Sequence, residues 1–478
     1  MEQRADTTHL REQVLEQLTE LMRRQKAAEA AAHRQGTPAP EKVEDLVRRQ
    51  DYAVLQGELD ALHPADVAYI LEALPLRERL IVWDLVRAER DGDILLEVSD
   101  AVRETLIAHM DENELVAATE QLDTDEIADL APDLPREVIQ DVFQLLSVEE
   151  REQLRAAMSY PEDTVGALMD FDMVEIRDDV TLEVVLRYLR RLDEMPDHTD
   201  QLFVVDRETR LKGMLPVNRI LVTDPETLVA EVMVTEFVRF HPDEPAEDAA
   251  AAFERYDLVS APVVDHDGKL IGRMTVNAVV DYIRESSDSE MLSAGGLRED
   301  EDLFASVWKS VKNRWTWLAI NLVTAFIASR VIGVFEESIA RLVALAALMP
   351  IVAGIGGNSG NQTITMIVRA LALGQITRDN AKNLFRKEIG VSMLNGLIWG
   401  SVVGLFAFLI YHNWQLGLVM VGAMMLNLML AAVMGVSVPL LMEKLGRDPA
   451  VGSSVMITAI TDSGGFFIFL GLATLFLL

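Results

Sequence analysis

Two stretches near the carboxyl end of the chain place polar residues inside otherwise apolar sequence. Asp462 is the one acidic residue in the last thirty positions, and it follows Ser454 and Thr458 at intervals of four. Upstream, in the run GIGGNSGNQT, Gly354 and Asn358 have the same spacing. Residues four apart lie on one face of an α-helix. Each segment therefore presents a polar stripe along a helix that is otherwise apolar.

The residue types in these stripes point to a hard cation. Hydroxyl, carboxylate, carbonyl and amide groups without His or Cys are the ligands that suit Mg²⁺. One carboxylate per chain is too few to strip Mg²⁺ of its water, so the stripes favour a hydrated ion held by outer-sphere hydrogen bonds. The chain contains no cysteine, which excludes thiolate zinc sites, Fe–S clusters and disulfides.

The same residues are also compatible with roles apart from ion binding. Gly356 and Gly360 have the small-xxx-small spacing that lets membrane helices pack closely, and packing and ion binding can coexist. Asp462 could be a structural acid paired with Asn or Thr, or the proton site of a coupled transporter. Glu336 and Glu337 are candidates for attracting cations at an outer mouth, with a solvated loop as the alternative.

Charge is divided unevenly along the 478 residues. The formal net charge is −34, yet from Arg314 onwards there are ten Lys/Arg and seven Asp/Glu. The first two-thirds is therefore an acidic soluble protein, and this charge argues against nucleic acid as a partner. The remainder, residues 314–478, is apolar enough for five membrane helices. They are predicted at roughly 315–335, 340–372, 389–411, 415–442 and 451–477.

Basic residues predict the orientation of these helices. Lys309 and Lys312 precede the first helix, Arg378 and Lys382 lie between the second and third, and Lys444 lies between the fourth and fifth. All fall on the side of the soluble part. The positive-inside rule then places the amino terminus in the cytoplasm and the carboxyl terminus outside.

The spacing of apolar residues changes along the soluble part and divides it into three segments. Residues 1–40 read as a helical extension, and residues 41–160 as short helices separated by proline that stack into a curved, superhelical domain. Residues 161–290 hold an internal duplication with strands and helices in the same order. Both copies contain the pattern V-V-D-x-x-x-x-L-x-G, in VVDRETRLKG and VVDHDGKLIG.

A connecting helix is expected over residues 291–313. Gly295 and Gly296 would form a hinge, followed by an amphipathic helix with Leu303, Val307 and Val311 on one stripe. This helix would meet the membrane surface, with lipid as its partner.

The duplicated α/β unit resembles tandem CBS domains, which are regulatory modules that sense a nucleotide or an ion, although a structural dimerisation platform is the alternative. Two further motifs, P-x-x-x-G-x-G-G-N-x-G-x-Q at 350–362 and T-D-x-x-G at 461–465, resemble the MgtE family of Mg²⁺ channels. The order of helical domain, CBS pair, connecting (plug) helix and five membrane helices is also similar to that family.

The resemblance implies a homodimer in a bacterial inner membrane, with a Mg²⁺-selective pore on the two-fold axis. Asp462 from each subunit would hold a hydrated Mg²⁺, helped by Gly354, Asn358, Ser454 and Thr458. The soluble domains would bind intracellular Mg²⁺ between acidic faces and so close the pore, and the CBS pair has a possible nucleotide ligand.

One motif departs from the family pattern. Members often carry an acidic pair in a T-V-D-D-V context, where this chain has Asn277 and Ala278. Asp257 and Asp281 remain as predicted Mg²⁺-binding acids of the soluble part. Because each lost carboxylate removes charge that Mg²⁺ would neutralise, we expect weakened or altered Mg²⁺ gating.

The sequence thus favours a gated Mg²⁺ channel and not an enzyme. A proton- or sodium-coupled cation transporter and a membrane-anchored CBS sensor without transport are the competing hypotheses.

Overall fold

The structure is a computed structural model that describes residues 11, 14–16, 20 and 52–478, apart from 193, 298–300, 373–374, 377–379, 448 and 450–451. The predicted amino-terminal extension lies mostly outside these residues. The chain forms two compact units. The first comprises Met1–Ser286 with Asp302–Ala305, and the second comprises Ser287–Glu301 with Ser306–Leu478.

Short helices build the amino-terminal part of the first unit. Residues 52–60 are helical, and the helices that follow are Pro64–Glu72, Leu76–Trp83, Asp91–Glu97, Asp100–Ile107, Glu112–Thr119, Thr124–Leu130, Arg136–Leu145 and Val148–Ala157, with a 3₁₀ turn at Ala88–Arg90. Many of their acids act as helix caps. Reciprocal capping boxes join Asp111 to Glu114 and Ser147 to Glu150, and they satisfy amides that the first turn leaves without partners. Leu, Ile and Val from successive helices share one buried core.

The duplicated region contains two small sheets. Strands β1 (Glu175–Arg177), β2 (Gln201–Val205) and β3 (Leu211–Pro216) form one, and β4 (Ser260–Val264) and β5 (Leu270–Thr275) form the other. β1 pairs parallel with β2, whereas β2–β3 and β4–β5 are antiparallel. The helices of this region are Leu182–Leu189, Val217–Val222, Val229–Val232, Ala246–Tyr256 and Val276–Ala294.

The repeated sequence pattern has the same structural meaning in both copies. Asp206 accepts the backbone N–H groups of residues 208 and 210, and Asp265 accepts those of residues 267 and 269, so each closes its hairpin turn. Each β-ladder shifts register at the equivalent place. At Gly272 a Cβ atom would lie 2.3 Å from the Met169 side chain, and at Gly213 it would lie 2.8 Å from the carbonyl oxygen of Val234. The pattern is therefore a folding signal in both copies.

Five long helices form most of the second unit. They are the first (Val307–Val334), second (Ala344–Ala372), third (Ala381–Tyr411), fourth (Trp414–Lys444) and fifth (Ser453–Leu477) long helices. A short helix, Glu336–Arg341, separates the first two. Of the described helices, the first, third, fourth and fifth are long and apolar enough to cross a membrane. The second has the length, but its run of glycine and asparagine lowers its mean hydropathy.

The boundaries of these helices correct two expectations. The third long helix begins at Ala381 instead of near residue 389, so Lys382, predicted to lie between the second and third helices, lies within it. The helix that leaves the duplicated region ends at Ala294, and Leu303 lies in a turn. Val307 begins the first long helix, so the predicted stripe of Leu303, Val307 and Val311 does not lie on one connecting helix.

A buried arginine holds the turn before the first long helix. Arg79, on Leu76–Trp83, has no solvent exposure and donates to both carboxylate oxygens of Asp302, at 2.7 and 3.1 Å. It also donates to the carbonyl oxygens of Leu71 and Leu74. Each of its three guanidinium nitrogens thus meets an acceptor in the first unit, which offsets the cost of burying the charge.

Removal of this guanidinium should destabilise the first unit strongly, because the buried carboxylate of Asp302 and the carbonyl oxygens of Leu71 and Leu74 would lose this donor. We expect Arg79→Met to lower the free energy of opening of Leu76–Trp83 by about 3 kcal/mol or more. Amide hydrogen exchange on the full-length protein measures this. The control is Arg87→Met, since Arg87 is 61% exposed and pairs with Asp60 at the surface. Equal exchange in the two variants would contradict the expectation.

Candidate functional site

The fifth long helix carries the acidic stripe as the spacing predicts. Ser454 and Asp462 are half-buried in the single chain, and Thr458 is exposed. Thr458 donates its hydroxyl to the carbonyl oxygen of Ser454 at 2.9 Å, within its own helix. Thr461 points the other way, is fully buried and donates to Ile457 at 2.8 Å. The stripe of Ser454, Thr458 and Asp462 therefore lies on an open face of the subunit.

The second long helix separates its glycines and amides between two faces. Gly354 and Asn358 are exposed, and a Cβ atom at Gly354 would meet nothing within 4 Å. Gly356 and Gly360 are buried. A Cβ at Gly360 would lie 2.4 Å from Ile457 of the fifth long helix. Close helix packing thus accounts for Gly356 and Gly360, while Gly354 and Asn358 stay free for another role.

One hydrogen bond joins the second and fifth long helices along this face. The Ser454 hydroxyl donates to Oδ1 of Asn361 at 3.1 Å. The four-residue spacing of Gly354 and Asn358 does not single out Asn361, which lies off that register. Asn361 lies seven residues after Gly354, and residues seven apart also lie on the same side of a helix. This seven-residue spacing is the sequence signal that could have identified Asn361. A carboxylate, hydroxyls and amide oxygens thus come together on two adjacent helices.

Asp462 has no cationic partner in the part of the chain that the structure describes. None of the ion pairs found among the described residues involves it, and those residues contain no cluster of three His, Cys, Asp or Glu that could hold a metal ion. An ionised carboxylate at membrane depth needs a counter-charge or water. A hydrated cation on the open face beside Asp462 would supply both.

The remaining predicted site residues lie elsewhere. Glu337 is 80% exposed on the short helix Glu336–Arg341 and forms an ion pair with Arg341 one turn later. Asp257 ends the helix Ala246–Tyr256 in a left-handed conformation, with φ 52°, and is exposed. The structure brings neither residue next to Asp462.

A second acidic site lies where the short helices meet the duplicated region. Asp125, on the helix Thr124–Leu130, has its pKa raised from 3.8 to about 7 by burial first and then by the charge of Asp170. Asp170 lies before β1 and binds the guanidinium of Arg273 at 2.7 Å. Burial and the nearby Asp172 also raise the pKa of Asp123.

The same acidic surface extends to Asp281. Burial and the charges of Asp129 and Asp100 raise the pKa of Glu285, with a smaller contribution from Asp281. Arg103 is a second basic residue at this surface besides Arg273, with carboxylates of Asp129 and two further acids within 3.6 Å. Asp123 also caps the helix Thr124–Leu130 through a capping box with Glu126, whereas Asp125 and Asp129 lie within that helix. The spacing of Asp125, Asp129 and Asp133 at intervals of four, as in the predicted stripes, is the sequence signal of a shared acidic face.

The departure at Asn277 has a local consequence. Its side-chain amide lies 2.7 Å from Nε2 of His198, which belongs to the loop before β2. A neutral amide therefore makes a hydrogen bond at this position, which adds no negative charge to the surface.

Long apolar helices joined to a duplicated α/β unit are typical of a membrane protein with a soluble domain. Family models agree with this description. A divalent cation transporter model, MgtE, matches residues 349–472, a model of the MgtE intracellular N domain matches 62–163, and a CBS domain model matches 229–285.

Curated relatives match along nearly their whole length. The magnesium transporter MgtE of Thermus thermophilus is 30% identical over 444 residues, which is 91% of this chain and 98% of that protein. The magnesium transporter MgtE of Bacillus subtilis is 24% identical over 432 residues, or 90% of this chain and 96% of that protein. The chain belongs to the MgtE family.

Solved structures also resemble part of the chain. The cytosolic domain of the Mg²⁺ channel MgtE in complex with ATP is 30% identical with a TM-score of 0.45, and the match covers 50% of this chain and 98% of that one. The soluble part of a magnesium transporter is 23% identical with a TM-score of 0.44, over 52% of this chain and 97% of that one.

Family membership confirms three predictions from the sequence. The resemblance to MgtE is correct, as is the fold class of a helical amino-terminal domain, a CBS pair and an apolar helical region. The family is one of transporters, which confirms that the chain is not an enzyme. The roles of the individual site residues stay predictions.

The raised pKa of Asp125 predicts a pH dependence. A carboxyl that binds its proton more tightly in the folded state stabilises that state below its unfolded pKa of 3.8, and this stabilisation is lost as pH rises through about 7. Without divalent cations, we therefore expect amides of Thr124–Leu130 to exchange faster at about pH 8 than at about pH 5.5, after correction for intrinsic rates.

Two comparisons control this measurement on the full-length protein. Asp125→Asn should remove most of the difference, because the amide does not titrate. The helix Val148–Ala157 provides an internal standard, since its Glu150 has a pKa lowered by its hydrogen bonds to Ser147 and stays ionised over this range. Equal protection of Thr124–Leu130 at both pH values would contradict the expectation.

Proposed function

We propose that this chain is a Mg²⁺ channel that moves hydrated Mg²⁺ into the cytoplasm through a pore shared by two copies. The observation that carries the proposal is the setting of Asp462. It lies half-buried on the fifth long helix, in line with Ser454 and Thr458, and makes no ion pair among the described residues. The naming of the curated relatives as magnesium transporters supports Mg²⁺ as the ion.

The open face of the second and fifth long helices supports the dimer. One chain offers a single carboxylate there, with the exposed Gly354 and Asn358 beside it on the neighbouring helix. A second copy related by a two-fold axis would bring a second carboxylate and a second set of hydroxyls and amides to the same path. Two carboxylates match the charge of one Mg²⁺. Oxygen and amide groups around them can accept hydrogen bonds from its water shell, or donate to it, without replacing the water.

The acidic surface of the first unit is the proposed site of regulation by intracellular Mg²⁺. Asp125 and Asp170 belong to different parts of this unit, and the charge of Asp170 contributes to the raised pKa of Asp125. A divalent cation between them would replace the proton and hold the two parts together. Asp281, at the edge of this surface, would contribute charge. Asn277 would not, which supports weaker regulation than in acid-rich relatives.

Basic residues at the helix ends support the proposed orientation. Lys382, Arg386 and Lys387 lie at the start of the third long helix, and Lys444 at the end of the fourth. These ends would face the cytoplasm together with the amino-terminal domains.

Replacement of Asp462 tests the pore. We expect Asp462→Ala to lower Mg²⁺ uptake into proteoliposomes by about tenfold or more, because a charge-assisted interaction with the hydrated ion is lost. Glu443→Ala is the matched control, since Glu443 is exposed at the end of the fourth long helix. Equal uptake by the parent and Asp462→Ala would remove Asp462 from the pathway and favour a sensor without transport.

The driving force in the same assay separates a channel from a coupled transporter. Uptake that follows the membrane potential supports the channel. Uptake that needs a proton or sodium gradient would favour coupled transport, with Asp462 as the proton site.

Protease protection of the soluble domains tests the regulation. We expect Mg²⁺ to protect the full-length protein from cleavage, and Asp125→Asn to need more Mg²⁺ for the same protection because one bridging charge is lost. Glu254→Gln, at an exposed position outside this surface, serves as the control. In the parent, protection should develop over a broader range of Mg²⁺ concentration, or at a different concentration, than in an acid-rich relative. A sharp millimolar transition would contradict weakened gating, and an unchanged Asp125→Asn variant would contradict this site.

A further inference from the structure

The fourth long helix carries a buried amide that the proposed pathway does not include. Asn427 has no solvent exposure and lies among apolar residues of its own helix. Burial of an amide in an apolar environment is unfavourable unless hydrogen bonds replace those of water. An asparagine at such a position is therefore expected to do something that leucine or alanine could not.

The contacts of Asn427 reach the second long helix. Its Nδ2 group donates to the carbonyl oxygen of Val352 at 2.8 Å. A carbonyl oxygen can only accept, so this contact fixes which end of the amide faces the second long helix. Among the described residues, Oδ1 of Asn427 is buried and finds no protein donor. The amide is thus held by one directed bond between helices.

Two glycines make room for this side chain. A Cβ atom on Gly356 would lie 2.2 Å from Nδ2 of Asn427, and a Cβ atom on Gly465 would lie 2.7 Å from the same nitrogen. Both distances are far below van der Waals contact. The amide therefore fills the space between the second and fifth long helices at a point where neither can carry a side chain.

These glycines belong to the two segments that carry the polar stripes. Gly356 lies midway between Gly354 and Asn358, and Gly465 lies three residues after Asp462. A displacement of either glycine moves the stripe residues on the same turn of helix. Asn427 thus contacts both stripe-bearing helices at the level of their polar residues, from the opposite side.

We propose that Asn427 is a positioning residue of the ion pathway. It sets the separation of the second and fifth long helices, and thereby the placement of Asp462 relative to Gly354 and Asn358, without touching the ion. This inference rests on the proposed pore, and it explains why Gly356 and Gly465 have no side chains.

The test uses full-length protein in proteoliposomes and measures uptake of Mg²⁺ and of Ca²⁺ at varied concentration. We expect Asn427→Leu, which keeps the branching at Cγ but is larger and removes the donor, to raise the Mg²⁺ concentration for half-maximal uptake by about fivefold and to lower the Mg²⁺ to Ca²⁺ ratio. The half-maximal concentration and the Mg²⁺ to Ca²⁺ ratio do not depend on how much of the protein is folded. A lower maximal uptake with both unchanged would overturn the proposal and leave a purely structural role.

A glycine replacement gives an independent reading if Asn427→Leu fails to fold. Gly356→Ala should also raise the Mg²⁺ concentration for half-maximal uptake, because the new methyl group displaces the amide of Asn427. Combined with Asn427→Ala, it should add nothing to the effect of Asn427→Ala alone, since the methyl then enters vacated space. Effects that simply add would overturn the proposal.

Matched controls come from the third long helix. Asn395→Leu changes an exposed asparagine, and Gly390→Ala changes a glycine whose Cβ would meet nothing within 4 Å. Both should behave as the parent. A failure of the proposed function would look different, because Asp462→Ala would then transport like the parent whatever the result at Asn427.

Discussion

The close approach of the second long helix to the fourth and fifth is the constraint on which the candidate pathway depends. It is possible only because Gly356, Gly360 and Gly465 carry no side chains where Asn427 and Ile457 fill the space. Membrane helices gain little from apolar burial against one another, so small residues and directed polar contacts must supply the association. With this packing, Ser454, Thr458 and Asp462 lie on the open face of the fifth helix, while Thr461 is buried on its other side.

That division gives one segment two roles. The run around residues 354–362 packs with its glycines on one side and exposes Gly354 and Asn358 on the other. The hydrogen bond between Ser454 and Asn361 then aligns the two stripes. Asp462 pairs with no cation among the described residues and lies beside hydroxyl and amide groups. This setting suits a hydrated ion rather than a stripped one, because too few charges are present to offset dehydration.

A different physical principle governs the soluble part. There, acids that cap helices are satisfied locally, as Asp111 and Ser147 show with their partner glutamates. Other acids lie near acids from another part of the same unit, and the pKa of the half-buried Asp125 is raised to about 7. The capping acids have hydrogen-bond partners within one turn of helix, whereas we propose that the other acids are available to bind an ion. Buried Arg79 is a third case, in which every guanidinium nitrogen meets a protein acceptor.

The sequence determined the class of protein, the duplicated unit and the existence of two polar stripes. Each of these is encoded in local periodicity and in motifs whose residues act on their own neighbours, as Asp206 and Asp265 do in their hairpins. The tertiary structure decided which acids face each other, that Asn361 joins the stripe, and that Asn427 lies between two glycines. Those features depend on which helices become neighbours. Spacing along one helix gives the direction of a side chain, but only packing determines what that side chain meets.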